Sequence, residues 1–336
     1  ETSRNEQKGQ ALFLRAWNYH MLYSLFGRVP IVDHTFDLDS SFELQREDMD
    51  KVADFIIKDL DEAAALLPIE YSDPNDFGRV TKGAALALKS RVLLYKASPL
   101  FGTPSTEKWQ AAANAAKAVF DLNKYYLKTV NNSEEYGALF YDVKNPEVIF
   151  EKLFDPKYGS GDNNSFLYQA PCGIGNGFQG WGNFNPTQNL VDKFQMADGT
   201  ASEKKTHYDY YPWNGREIRF YAAFLLDGDE WGYGKDKREV EVYYGGDETI
   251  PAGKDSNWGE YWWNASNTGY SMRKFLDPSY DATGTTMHTT PWFFIRLSEI
   301  YLNYAECQIE LGNNLEALEY INKVRTRALL PPATGE

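Results

Sequence analysis

The stretch Gly78–Phe101, GRVTKGAALALKSRVLLYKASPLF, restricts the fold more than any other part of the chain. Thr81 is placed to cap a helix, because its hydroxyl can accept a backbone N–H of the first turn. Pro99 then blocks the helix about five turns later. Between them Ala84, Ala85, Leu86, Ala87, Leu88, Val92, Leu93, Leu94, Tyr95 and Ala97 occupy most of the circumference. Such a helix must have protein on more than one side, and its small residues let neighbours approach closely. It belongs in the middle of a helical stack.

The partners in that stack are visible at helical spacing. Residues 9–26 place Leu12, Ala16, Tyr19, Tyr23 and Phe26 on one face before Gly27 and Pro30. Glu47–Leu67 repeats the pattern with Val52, Ile56, Leu60, Ala63 and Leu67, and its acidic start suits the helix dipole. Glu107–Leu122, with Thr106 as the cap, buries Trp109, Ala112, Ala113, Ala116 and Phe120. Near the other end Pro291–Leu311 and Asn314–Ala328 form another pair. There Tyr301, Ala305, Gly312, Ala317 and Tyr320 follow the spacing of a tetratricopeptide repeat. No pair can bury its own apolar face, so stacking is the way to close the core.

A chain of 336 residues, 43% of them hydrophobic, has ample material for a core. Its net charge of −14 argues against nucleic acid or anionic membrane surfaces as partners, since both need a basic patch. No apolar run approaches the roughly 20 residues of a membrane span. The chain opens on Glu1 without a signal peptide, which reads as a mature product or a fragment. Cys172 and Cys307 are read as isolated thiols, the latter filling core. The four histidines show no metal-ligand spacing. No cofactor, metal or catalytic residue is expected.

Residues 155–290 break the helical style. They hold six of the nine Trp, 12 of the 23 Tyr and 18 of the 26 Gly. One helix is expected, Pro186–Met196, with strand-like runs at Glu147–Phe154, Ile218–Leu226 and Glu239–Tyr244. The rest reads as long loops on a rigid scaffold, where binding usually resides. Three aromatic groups stand out. Tyr210, Tyr211 and Trp213 precede the Arg216–Leu226 segment, and Trp231 and Tyr233 flank a Gly. Trp258, Trp262 and Trp263 lie among Asn257 and Asn264. Trp181 is followed by Asn183 and Asn185. Indole and phenol rings flanked by amides suit a carbohydrate, whose C–H faces pack on the rings while its hydroxyls take polar partners. Trp17, Trp109 and Trp292 read as core.

Two further patterns carry less. The run Gly175–Gly180 satisfies GxGxxG as a string, but no βαβ unit surrounds it. Asp227, Asp229 and Glu230 read as a solvated turn in preference to catalytic carboxylates or a calcium loop.

Five segments taken together resemble the SusD/RagB family of outer-membrane glycan-capture lipoproteins. They are LRAWNYHMLYSLFGRVPIV (14–32), GRVTKGAALALKSRVLLYKASPLF (78–101), NPTQNLVDKFQMADGT (185–200), FIRLSEIYLNYAECQIELGN (294–313) and ALEYINKVRTRALLP (317–331). The resemblance implies a mainly α fold. A tetratricopeptide-like scaffold of helix pairs (1–154) would carry a loop-rich, aromatic-rich ligand subdomain with short strands (155–290). A C-terminal helix pair (291–336) would pack back on the scaffold. It also implies cell-surface, non-catalytic binding of oligosaccharide, and delivery to a TonB-dependent, SusC-like transporter. The membrane would be reached only through an N-terminal lipid anchor. That anchoring cysteine, a helical segment before residue 9 and an Arg/Glu/Trp-rich segment after residue 331 are expected from the family and absent from the sequence. Leu329 also stands where the family usually has Gly. On this reading the ligand residues are Tyr210, Tyr211, Trp213, Trp231, Tyr233, Trp258, Trp262, Trp263, Trp181 and Asn183. A glycoside hydrolase or lyase on a helical scaffold, and a protein-interaction scaffold, are the competing classes.

Overall fold

The computed structural model describes residues 2–37, 39, 43–154, 181–202, 213–232, 237–245, 249, 251–260, 262–279 and 289–335. The first four helices are α1 (Thr2–Phe26), α2 (Met49–Leu66), α3 (Lys82–Ala97) and α4 (Thr106–Phe120). They pack in chain order, α1 on α2, α2 on α3 and α3 on α4. The Thr81 hydroxyl accepts from Ala84 N at 3.4 Å, as its position before the apolar run predicts. The cap of α4 is Ser105 and not Thr106, with Lys108 N donating to its hydroxyl at 3.3 Å. Helix α1 starts earlier than the apolar stripe, at Thr2, and its polar first turns include the good helix formers Arg4, Glu6, Gln7 and Lys8.

The last helices, α8 (Leu297–Glu310) and α9 (Asn314–Arg327), join the same row, α8 lying on α4 and α9 on α8. Ala305 and Ala317 are buried at their crossing, and Gly312 turns the chain at φ +81°. Phe120 stacks on Tyr320 at 5.2 Å, and Tyr304 meets Tyr320 edge-on at 4.7 Å. Two charged links cross the row. Arg15 grips buried Asp59 with two bonds of 2.7 Å. Arg91 on α3 grips Glu299 on α8 with two of 2.6 Å. Among the described residues no helix is long and apolar enough to cross a membrane.

Between the two parts of the row lies the long excursion. It leaves from strand β1 (Val148–Lys152) and returns on β6 (Trp292–Arg296), which pairs antiparallel with β1 in the register Val148↔Arg296 and Lys152↔Trp292. The sequence reading made 291–311 one helix. Trp292-Phe-Phe-Ile is an aromatic and branched run that suits a pleated surface once a partner strand is available, and the helix begins only at Leu297. Phe150 and Phe294 stack at 5.1 Å and both meet Trp17, fixing the pair on α1. Trp292, expected in the core, is instead exposed and stacks on Phe275 at 5.2 Å.

Within the excursion the described elements are short: α6 (Gln188–Val191), α7 (Ile218–Ala223), β2 (Phe224–Leu225), β3 (Glu230–Trp231), β4 (Arg238–Glu239) and β5 (Ser271–Met272). A further helix, α5 (Ser133–Ala138), precedes β1, capped by Asn132, and went unread in the sequence. The expected helix Pro186–Met196 stops after Val191, because Gln195 pairs with Glu217 instead: Gln195 N donates to Glu217 Oε1 at 2.8 Å and Glu217 N to Gln195 O at 3.1 Å. The expected strand 218–226 is a helical turn and then two strand residues; Phe220, Phe224 and Leu226 share one cluster while Ala222 turns to another. Of Glu239–Tyr244 only Glu239 is in strand.

Candidate functional site

Three loop segments bring exposed indoles together. Residues 181–185 lie against 262–265, where Gly182 (φ +58°) comes so near that a Cβ there would sit 2.2 Å from the Asn264 carbonyl oxygen. Asn185 clamps both sides. Its Nδ2 donates to Gly182 O at 2.7 Å, and its Oδ1 accepts from Asn267 N at 3.1 Å. A third segment, 251–258, precedes 262–265 in the chain and carries Trp258; it is held to Tyr243, whose carbonyl accepts from Gly253 N at 3.0 Å. Asp255 anchors the base of this loop, taking two bonds of 2.8 Å from Arg238 and one of 3.0 Å from Glu241 N. Asp255, three residues before Trp258, is therefore a structural clamp, whereas Glu260, between Trp258 and Trp262, is exposed.

On this frame stand Trp181 (40% exposed), Trp258 (67%), Trp262 (62%) and Trp263 (59%). Trp262 and Trp263 lie 6.1 Å apart with planes at 84°, so they form a corner. Tyr244 meets Trp258 edge-on at 5.2 Å. Exposed Asn183 and Asn257 supply amides at the same segments, whereas Asn264 is buried. Rings with solvent-facing area beside amide donors and acceptors can hold a polyhydroxylated ring by C–H contacts and hydrogen bonds.

The remaining sequence candidates divide. Trp231 is a core residue, 5% exposed among Leu225, Val240 and Leu276. The β3–β4 pairing turns its indole inward, which neighbouring glycines in the sequence do not reveal. Trp213 packs half-buried against the Val191, Phe220 and Phe224 cluster, and its carbonyl accepts from the Tyr221 hydroxyl at 2.7 Å. Tyr210, Tyr211 and Tyr233, like Cys172, His207, His288 and the 175–180 glycine run, lie outside the described residues. Cys307 is a buried free thiol whose pKa burial pushes up to about 12. The acidic trio is a turn: Asp227 accepts from Val242 N at 2.8 Å, Asp229 from Leu226 N at 3.0 Å, and Glu230 pairs with Lys237 at 2.8 Å. Sequence reading missed Tyr244 and Phe184, both exposed at the patch. The Tyr243-Tyr-Gly-Gly run was the available signal, an aromatic pair running into glycines.

Residues 146–336 match the model of the SusD family, which is more than half of the chain. The chain belongs to the SusD family. Residues 1–94 match a second model, described as starch-binding associating with outer membrane, and with it comes an outer-membrane association. SusD-like protein P25 of Formosa agariphila is 22% identical, the alignment covering 98% of this chain and 56% of that protein. The chain thus spans little more than half the length of the curated relative. A solved SusD-like protein of Bacteroides fragilis is 29% identical with a TM-score of 0.83, over 99% of this chain and 63% of the other. A second one from that species, a SusD-like carbohydrate binding protein, is 25% identical with a TM-score of 0.79, over 99% and 61%. The mainly helical architecture with a strand-containing excursion is therefore that of SusD-like proteins.

Proposed function

We propose that the patch of Trp181, Trp258, Trp262 and Trp263, with Asn183 and Asn257, binds oligosaccharide at the cell surface without cleaving it. The bound glycan is then passed to a TonB-dependent, SusC-like transporter. The observation that carries this reading is a run of exposed indoles, Trp258, Trp262 and Trp263, with exposed Trp181 beside the point where Gly182 meets Asn264. The SusD-like carbohydrate binding protein from Bacteroides fragilis supports it as a relative of the same fold. In the same reading 155–290 is the ligand-bearing subdomain, and 1–154 and 291–336 are its support.

The corner at Trp262 and Trp263 adds a preference. A flat glycan ribbon can lie on one of two perpendicular rings but not on both, whereas a bent or branched chain can touch each. Aromatic contacts worth about 0.5–1.5 kcal/mol each and neutral hydrogen bonds of about the same size give a Kd of roughly micromolar to millimolar.

Affinity electrophoresis against a panel of flat and bent glucans and branched glycans, with product analysis of the same mixtures, tests the reading. Retardation by a bent or branched glycan, weakened in Trp262→Ala and without new products, supports it. Turnover by the purified chain, or no retardation by any glycan, refutes it.

A further inference from the structure

A second concavity lies on the helical row, where the segment 69–81 between α2 and α3 faces residues 124–126 and β1. Its cavity volume is about 650 Å³, within the range of small-molecule sites, and it shares no lining residue with the indole patch. Tyr71, Phe77, Tyr125, Tyr126 and Phe150 line it, and Phe77 and Tyr126 are exposed at its edge. The aromatic walls are held from behind. The Tyr71 hydroxyl donates to Val80 O at 2.9 Å and accepts from Gln10 Nε2 at 3.2 Å.

The charges of this cleft are unevenly matched. Arg79 is paired with Asp76 at 2.6 Å and Lys124 with Glu70 at 2.5 Å. Lys144 is exposed at the rim. Glu151 of β1 also lines the cleft, and its Oε2 is buried with no hydrogen-bond partner among the described residues. Its charged neighbour Asp142 is itself acidic and is taken by Lys128 at 2.7 Å. A carboxylate oxygen shut away from water without a donor is unfavourable, and among the described residues no ion pair answers it. Burial first, and then the Asp142 charge, push the Glu151 carboxyl up to about 7.

We propose that this cleft is a second binding site, for a small amine-bearing molecule whose ammonium group pairs with Glu151 while its body lies against the Phe77 and Tyr126 rings. An ammonium brings both what Oε2 lacks, a donor, and what the local field lacks, a positive charge. Ring faces nearby attract the same cation through their quadrupoles. A neutral hydroxyl brings the donor alone.

The test is calorimetric titration of the intact chain at pH 8 with cyclohexylamine, against cyclohexanol as the neutral molecule of the same shape. Cyclohexylamine binds at least about tenfold more tightly than cyclohexanol if the pairing exists. Glu151→Gln, which keeps the shape of the side chain and removes its charge, abolishes that preference. Tyr126→Ala, an exposed rim change, weakens amine binding several-fold, and Trp262→Ala at the other site leaves it unchanged. Equal affinity for the two probes, no saturable binding of the amine up to tens of millimolar, or an undiminished preference in Glu151→Gln would overturn the assignment.

Discussion

Replacing Gly182 by Ala separates the assembly of the indole patch from the presence of its rings. A Cβ at this position would lie 2.2 Å from the Asn264 carbonyl oxygen, which is backbone and cannot swing aside. Even weak C–H···O contacts keep carbon and oxygen about 3.3 Å apart, so the two segments must part by about 1 Å. The left-handed φ of +58° adds about 1–2 kcal/mol for any residue with a Cβ, and the overlap adds roughly 1–3 kcal/mol. Against this, Ala loses less chain entropy than Gly on folding, by about 0.4–1 kcal/mol. The balance is a local loss of a few kcal/mol, outside the main helical core.

If Trp181 is thereby displaced from Trp262 and Trp263, one platform is lost to the ligand. At about 0.5–1.5 kcal/mol per aromatic contact that is roughly a two- to twelvefold weaker Kd. Affinity electrophoresis reads this directly, with far-UV circular dichroism to show that the helices persist. Gly228→Ala is the matched control: φ is +82° there, yet a Cβ meets nothing within 4 Å. It carries the backbone penalty without the collision. Wild-type retardation in Gly182→Ala, or equal weakening in both variants, would refute the view that the 181–185 and 262–265 segments build one site.

Trp262→Ala weakens glycan binding several-fold with little change in Tm, whereas Trp231→Ala, emptying a buried site, lowers stability by about 3–5 kcal/mol; ligand titration and thermal melts together distinguish the two. Glu151 is held at about 7 against an ordinary 4.5, so its stabilising contribution is complete below about 4.5 and lost as pH rises through 7. Glu151→Gln therefore melts above wild type at pH 8, by an increment equivalent to about 3 kcal/mol, and alongside it at pH 4.5. His20 runs the other way: burial, then the Arg91 charge, lower its pKa from 6.5 to about 4, so its contribution is present above 6.5 and lost as pH falls through 4. Melts of His20→Leu between those values should show a shallower acid slope than wild type. Leu329→Gly removes a left-handed Leu (φ +57°) and raises stability by up to about 1 kcal/mol; an unchanged or lower Tm would count against strain at that turn.

The helical row was legible because each of its members repeats an apolar stripe over several turns, and a stripe survives whatever the neighbours turn out to be. Strand β6 was not, since Trp292-Phe-Phe-Ile has no period of its own and becomes a strand only beside Val148–Lys152, about 140 residues earlier. The same limit governs the site. Trp231 and Trp258 look alike in sequence, each set among acidic residues and glycines, but pairing of β3 with β4 drives one indole into the Leu225, Val240 and Leu276 cluster and leaves the other outside. Leu329 is the instructive intermediate: the sequence marks it as standing where a Gly is usual, and the structure supplies the reason, a positive φ at the turn after α9. What local pattern cannot carry is the closeness of distant segments. Both the Gly182–Asn264 approach and the β1–β6 pair are such meetings.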